Sequence, residues 1–276
     1  MITSRWLLPS IIFFLFLALA LFLFSWTANP FYLFNFLYIG SLVSAGIYLM
    51  GAEFQHGRLL VQLGVGSYML LYLGILRAEN MQIEGFWYYI FLGVFQGAVI
   101  HYAIAKISGP ILFGRGWCGY ACWTSMILDL LPYRRSGGTR RRFLGYVKYM
   151  LFLIAPLIVF LILNKANNPD TVMFRAFIAG NVAYYVTGIA LAVALGDNRA
   201  FCKYICPVSI FLKASSYLSV LRVKFDENKC RNCMKCLSEC PMDVDMRSNS
   251  KRRTNGTDCI LCMRRISICQ EKALHL

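Results

Sequence analysis

The cysteines near the end of the chain have a spacing that binds metal. One run reads C-x2-C-x2-C-x3-C-P, with Cys230, Cys233, Cys236 and Cys240 followed by Pro241. Thiolates separated by two residues bind adjacent irons of one cluster, and a fourth cysteine followed by proline turns toward a second cluster. Structural zinc sites also use C-x2-C pairs, but zinc does not account for three such thiols followed by C-P. The run therefore predicts iron–sulfur clusters, with zinc as the alternative.

The next cysteine run is an incomplete copy of the first. It contains Cys259, Cys262 and Cys269, but Arg265 stands at the position of the third cysteine and Gln270 at that of the proline. Two runs of this kind normally form two cluster sites, so one of the two sites lacks a ligand.

The ligands divide between the two sites because the fourth cysteine of each run serves the other cluster. The first [4Fe-4S] cluster would keep all its ligands, which are Cys230, Cys233, Cys236 and Cys269. The second site would keep three, which are Cys240, Cys259 and Cys262. We expect this second site to hold a three-iron (3Fe-4S) cluster, a four-iron cluster with an open or non-cysteine position, or nothing stable.

A different cysteine motif, C-x3-C, occurs twice. Residues 115–128 read RGWCGYACWTSMIL, and residues 199–212 read RAFCKYICPVSIFL. Two thiols at this spacing lie on one face of a helix or at its first turn. The two pairs together, Cys118, Cys122, Cys202 and Cys206, supply enough thiolates for a cubane, a two-iron cluster or zinc. We predict a shared metal or redox site, with two inert buried pairs or a disulfide as the alternatives.

An arginine precedes each of these pairs. Arg115 and Arg199 lie three residues before the first cysteine of their copies. A nearby guanidinium and a helix N-terminus lower the pKa of a thiol, so we expect these cysteines to favour the thiolate form. The second copy ends in Pro207, whereas the first has Trp123 there.

Composition places the rest of the chain in a membrane. Of the 276 residues, 58% are hydrophobic, which excludes an ordinary soluble domain. The net charge is +15, but the basic residues lie beside apolar runs, so no nucleic-acid partner is expected. The 11 cysteines have metal-ligand spacings, which indicates reduced thiols that face the cytoplasm rather than disulfides.

Six apolar runs are each long enough for the ~20-residue helix that crosses a bilayer. They lie near Leu7–Phe24, Phe31–Met50, Leu59–Leu76, Phe86–Ile107, Phe143–Leu163 and Val172–Leu195. We interpret the first run as an uncleaved span rather than a signal peptide, because it is long for a signal peptide and no A-x-A site follows it.

The basic residues also predict the orientation of the spans. With the N-terminus inside, the inner segments carry most of the basic residues, among them Arg5, Arg58, Lys106, Arg134, Arg135, Arg140, Arg141, Arg142 and the loop Lys251–Arg253. The outer loops keep Arg77, Lys165 and Arg175. This bias places both termini and the cysteine-rich end on the cytoplasmic side of the inner membrane.

Polar residues within the spans are few. His101 is the only histidine in a predicted span, so two facing imidazoles are lacking and no b-type haem is expected. We interpret His101 as a packing or interhelical hydrogen-bonding residue, with a quinone contact as the alternative. Asn181 is a further intramembrane polar candidate.

Spans, two C-x3-C motifs and a C-terminal ferredoxin run, in this order, resemble the NapH-like membrane polyferredoxins, which are related to the membrane parts of NosR and MauN. The resemblance rests on CGYACW at 118–123, CKYICP at 202–207 and the cysteines of 230–269, and it covers residues from about 85 to 276. It implies an electron-transfer subunit of a quinol-dehydrogenase-like oxidoreductase. Trp123 and Arg265 depart from the family pattern.

These observations predict an all-α integral membrane protein with about six transmembrane helices and a small C-terminal α+β ferredoxin-like domain. The expected segments are 1–107, 108–142, 143–197, 198–223 and 224–276. The predicted function is electron transfer through one or two [4Fe-4S] clusters, with a further Fe–S or metal site at the C-x3-C motifs. Expected partners are the quinone pool, a redox protein or a membrane subunit. A metal reductase, and a permease or assembly factor with a structural metal domain, are the alternatives.

Overall fold

The computed structural model describes residues 3–52, 54, 56–95, 97–133, 141, 143–245 and 256–276. The basic residues Arg134, Arg135, Arg140 and Arg142, and the loop Lys251–Arg253, lie outside the described residues. The described chain is mostly helical and contains one two-stranded sheet.

The helices and strands follow one another in this order. The membrane part contains α1 (Thr3–Thr27), α2 (Pro30–Gly51), α3 (Gly57–Leu76), α4 (Ile83–Phe91), α5 (Ala98–Phe113), α6 (Gly116–Tyr120), α7 (Trp123–Leu128), α8 (Val147–Lys165), α9 (Pro169–Leu195), α10 (Ala200–Tyr204) and α11 (Ser209–Ser216). The C-terminal module contains β1 (Lys224–Phe225), α12 (Lys235–Ser238), α13 (Arg264–Ile268) and β2 (Leu274–His275).

Five helices of the described chain are long and apolar enough to cross a membrane. They are α1, α2, α3, α8 and α9. The α1–α2 hairpin turns at Asn29, whose side-chain oxygen accepts a hydrogen bond from the Phe31 amide at 2.9 Å. Pro30 follows at the first helical position, where a missing N–H removes no helical hydrogen bond.

The predicted span Phe86–Ile107 is wrong as a single helix. Helix α4 ends at Phe91 and α5 begins at Ala98. Between them, Gly93 and Gly97 have positive φ angles of 68° and 50°, and a right-handed helix cannot continue through that conformation. With only 9 residues, α4 is too short to cross a bilayer alone.

Helix α3 packs directly on the helices that carry the first C-x3-C motif. A Cβ added to Gly66 would lie 3.2 Å from the Cα of Trp123 in α7. Farther along α3, a Cβ on Gly74 would lie 2.3 Å from the ring of Phe177 in α9. Small residues therefore let α3 approach both neighbours closely, as in other membrane helix pairs.

The C-terminal module closes on itself through its two short strands. β1 and β2 pair antiparallel, with Lys224 opposite His275 and Phe225 opposite Leu274. Each strand has two residues, so the α+β class of this module stays a prediction.

One apolar core includes side chains from both cysteine motifs and from the C-terminal module. Its buried members include Cys118, Leu128, Phe201, Cys202, Leu212, Cys240, Met242 and Ile260. The module therefore packs against the motifs rather than lying apart from them.

Candidate metal centre

The two C-x3-C motifs contact each other reciprocally. Arg199 donates a hydrogen bond from Nη1 to the carbonyl oxygen of Cys118 at 2.9 Å, and Arg115 donates from Nη2 to the carbonyl oxygen of Cys202 at 3.5 Å. Each guanidinium also lies 3.9 Å from the sulfur of the first cysteine of its own motif. The sequence repeat is therefore also a repeat in space.

Each motif is a short helix followed by a turn and a second helix. Cys118 lies in α6, which ends at Tyr120, and Cys122 directly precedes α7. In the second copy, Cys202 lies in α10 and Cys206 follows that helix. The two thiols of a pair therefore do not share one continuous helix, because the chain turns between them. The predicted placement at the first turn of a helix is therefore found for Cys118 and Cys202, while Cys122 caps the start of the next helix.

Burial affects the pKa of the thiols in the second copy more than the neighbouring charges do. Burial raises the pKa of Cys202 to about 12, and Arg199 lowers it only in part. Burial also raises the pKa of Cys206. The expected thiolate preference is therefore wrong for these two cysteines without metal, since charging a buried thiol is unfavourable. Metal binding must displace their protons.

All four motif cysteines lie within electrostatic reach of one another. Besides burial, negative charge on Cys118 and Cys122 raises the pKa of both Cys202 and Cys206. Among the described residues, no group of three or more His, Cys, Asp or Glu side chains is placed to hold a single metal ion.

Buried ion pairs fix the arginines of the motifs. Asp129 accepts a hydrogen bond from Arg199 Nε at 2.7 Å and another from Arg58 Nη1 at 2.8 Å. Burial alone would raise the pKa of Asp129, but the two guanidiniums hold it below its usual value. Arg115 pairs with Asp258 of the C-terminal module. The Asp129 ion pairs thus orient the motifs, and the Arg115–Asp258 pair holds the C-terminal module against them.

The second motif has its own link to the module. Lys203 Nζ lies 2.7 Å from Asp197 and 2.6 Å from Asp243, and all three side chains are buried. No sequence motif marks Asp129, Asp197, Asp243 or Asp258. The one hint in the sequence is that acidic residues are scarce, with 13 against 28 basic residues, so that each carboxylate has several possible basic partners.

The second cysteine run docks on the first C-x3-C motif. Tyr120 donates a hydrogen bond from its hydroxyl to the carbonyl oxygen of Leu261 at 2.7 Å. A Cβ on Gly119 would lie 2.5 Å from the carbonyl oxygen of Ile260. Glycine is therefore required at 119 for the Cys259–Cys262 loop to approach this closely.

The predicted ligands of the second cluster face one cavity. Cys240, Cys259 and Cys262 line it together with Arg265. Of the first set, Cys230, Cys233 and Cys236 are electrostatically coupled. Burial raises the pKa of Cys236, the charge of Arg265 lowers it, and the charges of Cys230 and Cys233 raise it. Cys269 stays a predicted fourth ligand of this set.

The two C-x2-C loops of the module have the same backbone conformation. Asn232 and Met234 have φ angles of 59° and 61°, and their counterparts Leu261 and Met263 have φ angles of 51° and 59°. Non-glycine residues in this region are strained by about 1–3 kcal/mol each. The incomplete second copy therefore keeps the loop geometry of the complete first copy.

Polar residues of the membrane part contribute packing near the motifs. The ring of His101 lies edge-on to that of Trp117, with centroids 5.0 Å apart. Lys106 Nζ lies over the Trp117 ring, 4.1 Å from its centroid, a cation–π contact that the sequence analysis missed. Asn181 accepts a hydrogen bond from Trp123 Nε1 at 2.8 Å, which gives both residues a structural role.

Comparison with known proteins finds a 4Fe-4S binding domain in the segments that contain the C-x3-C motifs. A family model for a 4Fe-4S binding domain matches residues 97–141 and 182–226, the two segments that contain the C-x3-C motifs. The ferredoxin-type protein NapH of Haemophilus influenzae is 29% identical over 62% of this chain and 64% of its own length. The chain is similar to the NapH-like ferredoxin-type proteins. It binds one or two [4Fe-4S] clusters.

The chain is also similar to two further proteins. The methylamine utilization ferredoxin-type protein MauN of Paracoccus denitrificans is 30% identical over 46% of this chain and 48% of its own length. An uncharacterized protein of Methanocaldococcus jannaschii is 26% identical over 72% of this chain and 79% of its own length. The chain thus spans less than two thirds of NapH and about half of MauN. No solved structure matches it.

Proposed function

We propose that this chain passes electrons one at a time between a membrane donor or acceptor and a redox partner protein, as the electron-transfer subunit of a membrane oxidoreductase. The first set (Cys230, Cys233, Cys236, Cys269) and the second set (Cys240, Cys259, Cys262) would account for the one or two [4Fe-4S] clusters. The membrane set (Cys118, Cys122, Cys202, Cys206) would hold a further Fe–S cluster. Bound clusters supply the one-electron chemistry, while the protein sets their access and potential.

The docking of the Cys259–Cys262 loop on Gly119 and Tyr120 carries this proposal. It makes the second set the neighbour of the membrane set. Cys233 of the first set is exposed, whereas Cys240 of the second is buried. This contrast supports an order of first set, second set and membrane set from solvent inward, which would suit a route from a soluble partner to the membrane.

The charges around the membrane set suit a negatively charged cluster. Arg115 and Arg199 lie beside the sulfurs of Cys118 and Cys202. Cluster thiolates are stabilised by such neighbouring donors, and hydrogen bonds to the sulfurs help set the potential. The predicted cytoplasmic orientation would place all three sets on one side of the bilayer, so the membrane partner would be a quinone in the adjacent leaflet or another membrane subunit.

Anaerobic purification in detergent tests this proposal. Iron and sulfide analysis should find about four irons per complete cluster, and reduction should produce the electron paramagnetic resonance (EPR) signal of four-iron clusters. Cys233→Ser and Cys202→Ser should each remove about four irons, because they belong to different sets. Ser238→Ala, next to the first set on an exposed side chain, should leave the count unchanged.

A water-soluble quinone analogue tests whether quinone is the membrane partner. It is added to the reduced protein, and oxidation is measured as loss of the EPR signal. A colourless protein with stoichiometric zinc would contradict the proposal as a whole. If the protein contains its iron but the quinone analogue does not oxidise it, electron transfer stays supported and direct exchange with quinone is contradicted.

A further inference from the structure

Arg265 is a buried charge without a protein partner among the described residues. The side chain is 3% exposed, and its three guanidinium nitrogens, Nε, Nη1 and Nη2, make no hydrogen bond there. Arginine stays protonated in proteins, and a buried charge without a counter-ion is strongly unfavourable. The guanidinium therefore requires an anion.

The cavity that Arg265 faces offers only thiols as polar side chains. Cys240, Cys259 and Cys262 line it, and its other described lining residues carry no charge or side-chain hydrogen-bonding group. No described carboxylate lies within salt-bridge distance of Arg265. An anion inside the cavity would contact three cysteines, and the charge of Arg265 also reaches Cys236 of the first set, whose pKa it lowers.

The position of Arg265 is that of a cluster ligand. It corresponds to Cys236 of the first run, since both lie three residues after the second cysteine of their C-x2-C loop. The loop before it keeps the strained backbone of the first copy at Leu261 and Met263. The second copy therefore keeps the loop backbone of the first copy and three thiols around one cavity.

We propose that Arg265 replaces the missing cysteine as the charged neighbour of a four-iron cluster held by Cys240, Cys259 and Cys262, and that its guanidinium faces the iron without a cysteine ligand. This inference deepens the proposed function, because it specifies the cofactor of the second set. The five N–H donors of the guanidinium can bond cluster sulfides, and its charge offsets that of the three thiolates.

An iron without a cysteine ligand has two chemical consequences. It is the iron that the cluster loses on oxidation: ferricyanide takes one electron, one ferrous ion leaves, and a three-iron cluster remains on the three thiolates. It is also the position at which a small exogenous ligand binds. The adjacent guanidinium favours the reduced state, so this cluster should have a higher potential than a fully cysteine-ligated one.

Substitutions at Arg265 test this site through iron content and EPR. Wild-type protein treated with ferricyanide should give the signal of an oxidised three-iron cluster. Arg265→Cys should abolish that signal while keeping the iron count, because it restores the fourth ligand. Arg265→Gln should remove about three or four irons, and Arg265→Lys should retain them. Arg264→Gln is the matched control, since this neighbouring arginine is more exposed, and it should behave like wild type.

Two results would overturn the inference. One is an equal iron count in wild type and in a Cys259→Ser, Cys262→Ser double variant, which would mean that the second set is empty. The other is an Arg265→Gln protein with wild-type iron and EPR signals. The reduced signal of the first set reports folding in every variant. Its absence from wild type would instead refute the first-set cluster of the proposed function. If only Arg265→Gln loses the reduced EPR signal of the first set, that variant has not folded. The iron counts and EPR signals of Arg265→Cys and Arg265→Lys, compared with wild type, then test the inference.

Discussion

The guanidinium of Arg199 donates a hydrogen bond to the carbonyl oxygen of Cys118 at 2.9 Å, although 81 residues separate them in sequence. The same side chain contacts Asp129, which follows the first motif. Arg199 is 1% exposed. One residue of the second motif therefore fixes both the backbone and the charge balance of the first, and the membrane set depends on this contact.

Asp129→Asn is expected to lower the free energy of unfolding by about 3 kcal/mol, because it leaves two buried guanidiniums without their carboxylate. Thermal unfolding in detergent measures the change. Asp226→Asn is the control, since its partner Lys229 is exposed and such pairs contribute less than about 1 kcal/mol. Equal effects of the two substitutions would show that the Asp129 network does not stabilise the motifs.

The same carboxyl predicts a pH dependence. Its pKa is held below the usual value because Arg199 and Arg58 outweigh the effect of burial. A group with a lower pKa in the folded state stabilises that state above its unfolded pKa, and this contribution is lost as the pH falls through the folded pKa. The unfolding temperature should therefore drop below about pH 4, and less steeply in Asp129→Asn. Parallel acid profiles would contradict this assignment.

Gly119→Ala is expected to separate the Cys259–Cys262 loop from the first motif. The new Cβ would lie 2.5 Å from a backbone oxygen, that of Ile260, and overpacking of this kind costs about 1–3 kcal/mol. That outweighs the gain of about 1 kcal/mol from placing alanine in a helix. Gly145→Ala meets nothing within 4 Å and should not destabilise. The unfolding temperature and the rate of oxidation by quinone analogue would both remain at wild-type values if the docking were unimportant.

Trp123→Phe should lower the free energy of unfolding by about 0.5–2 kcal/mol, because it removes the hydrogen bond to Asn181 between two helices. Trp87→Phe makes the same change where the indole Nε1 is buried but has no hydrogen-bond partner among the described residues. The difference between the two unfolding temperatures isolates the hydrogen bond. If Trp87→Phe lowered the unfolding temperature more than Trp123→Phe, the hydrogen bond to Asn181 would not explain the tryptophan at position 123.

Local spacing in the sequence was sufficient to predict candidate ligands. The C-x2-C runs, the C-x3-C repeat and the long apolar helices α1, α2, α3, α8 and α9 all depend on residues that are close in the chain, where the identity of each residue restricts its chemistry. The comparisons confirm the 4Fe-4S chemistry and the resemblance to the NapH-like proteins. The matched family segments contain the C-x3-C motifs and end before Cys230.

By itself, the sequence determined which thiols are available and that Arg265 interrupts the second run. Only the tertiary structure decided that the interrupted run lies against Gly119, that burial outweighs Arg199 at the Cys202 thiol, and that Gly93 and Gly97 break a predicted span. The reason is physical: burial, ion pairing and close approach depend on residues that are far apart in the chain. Local patterns carry no information about which of those residues meet.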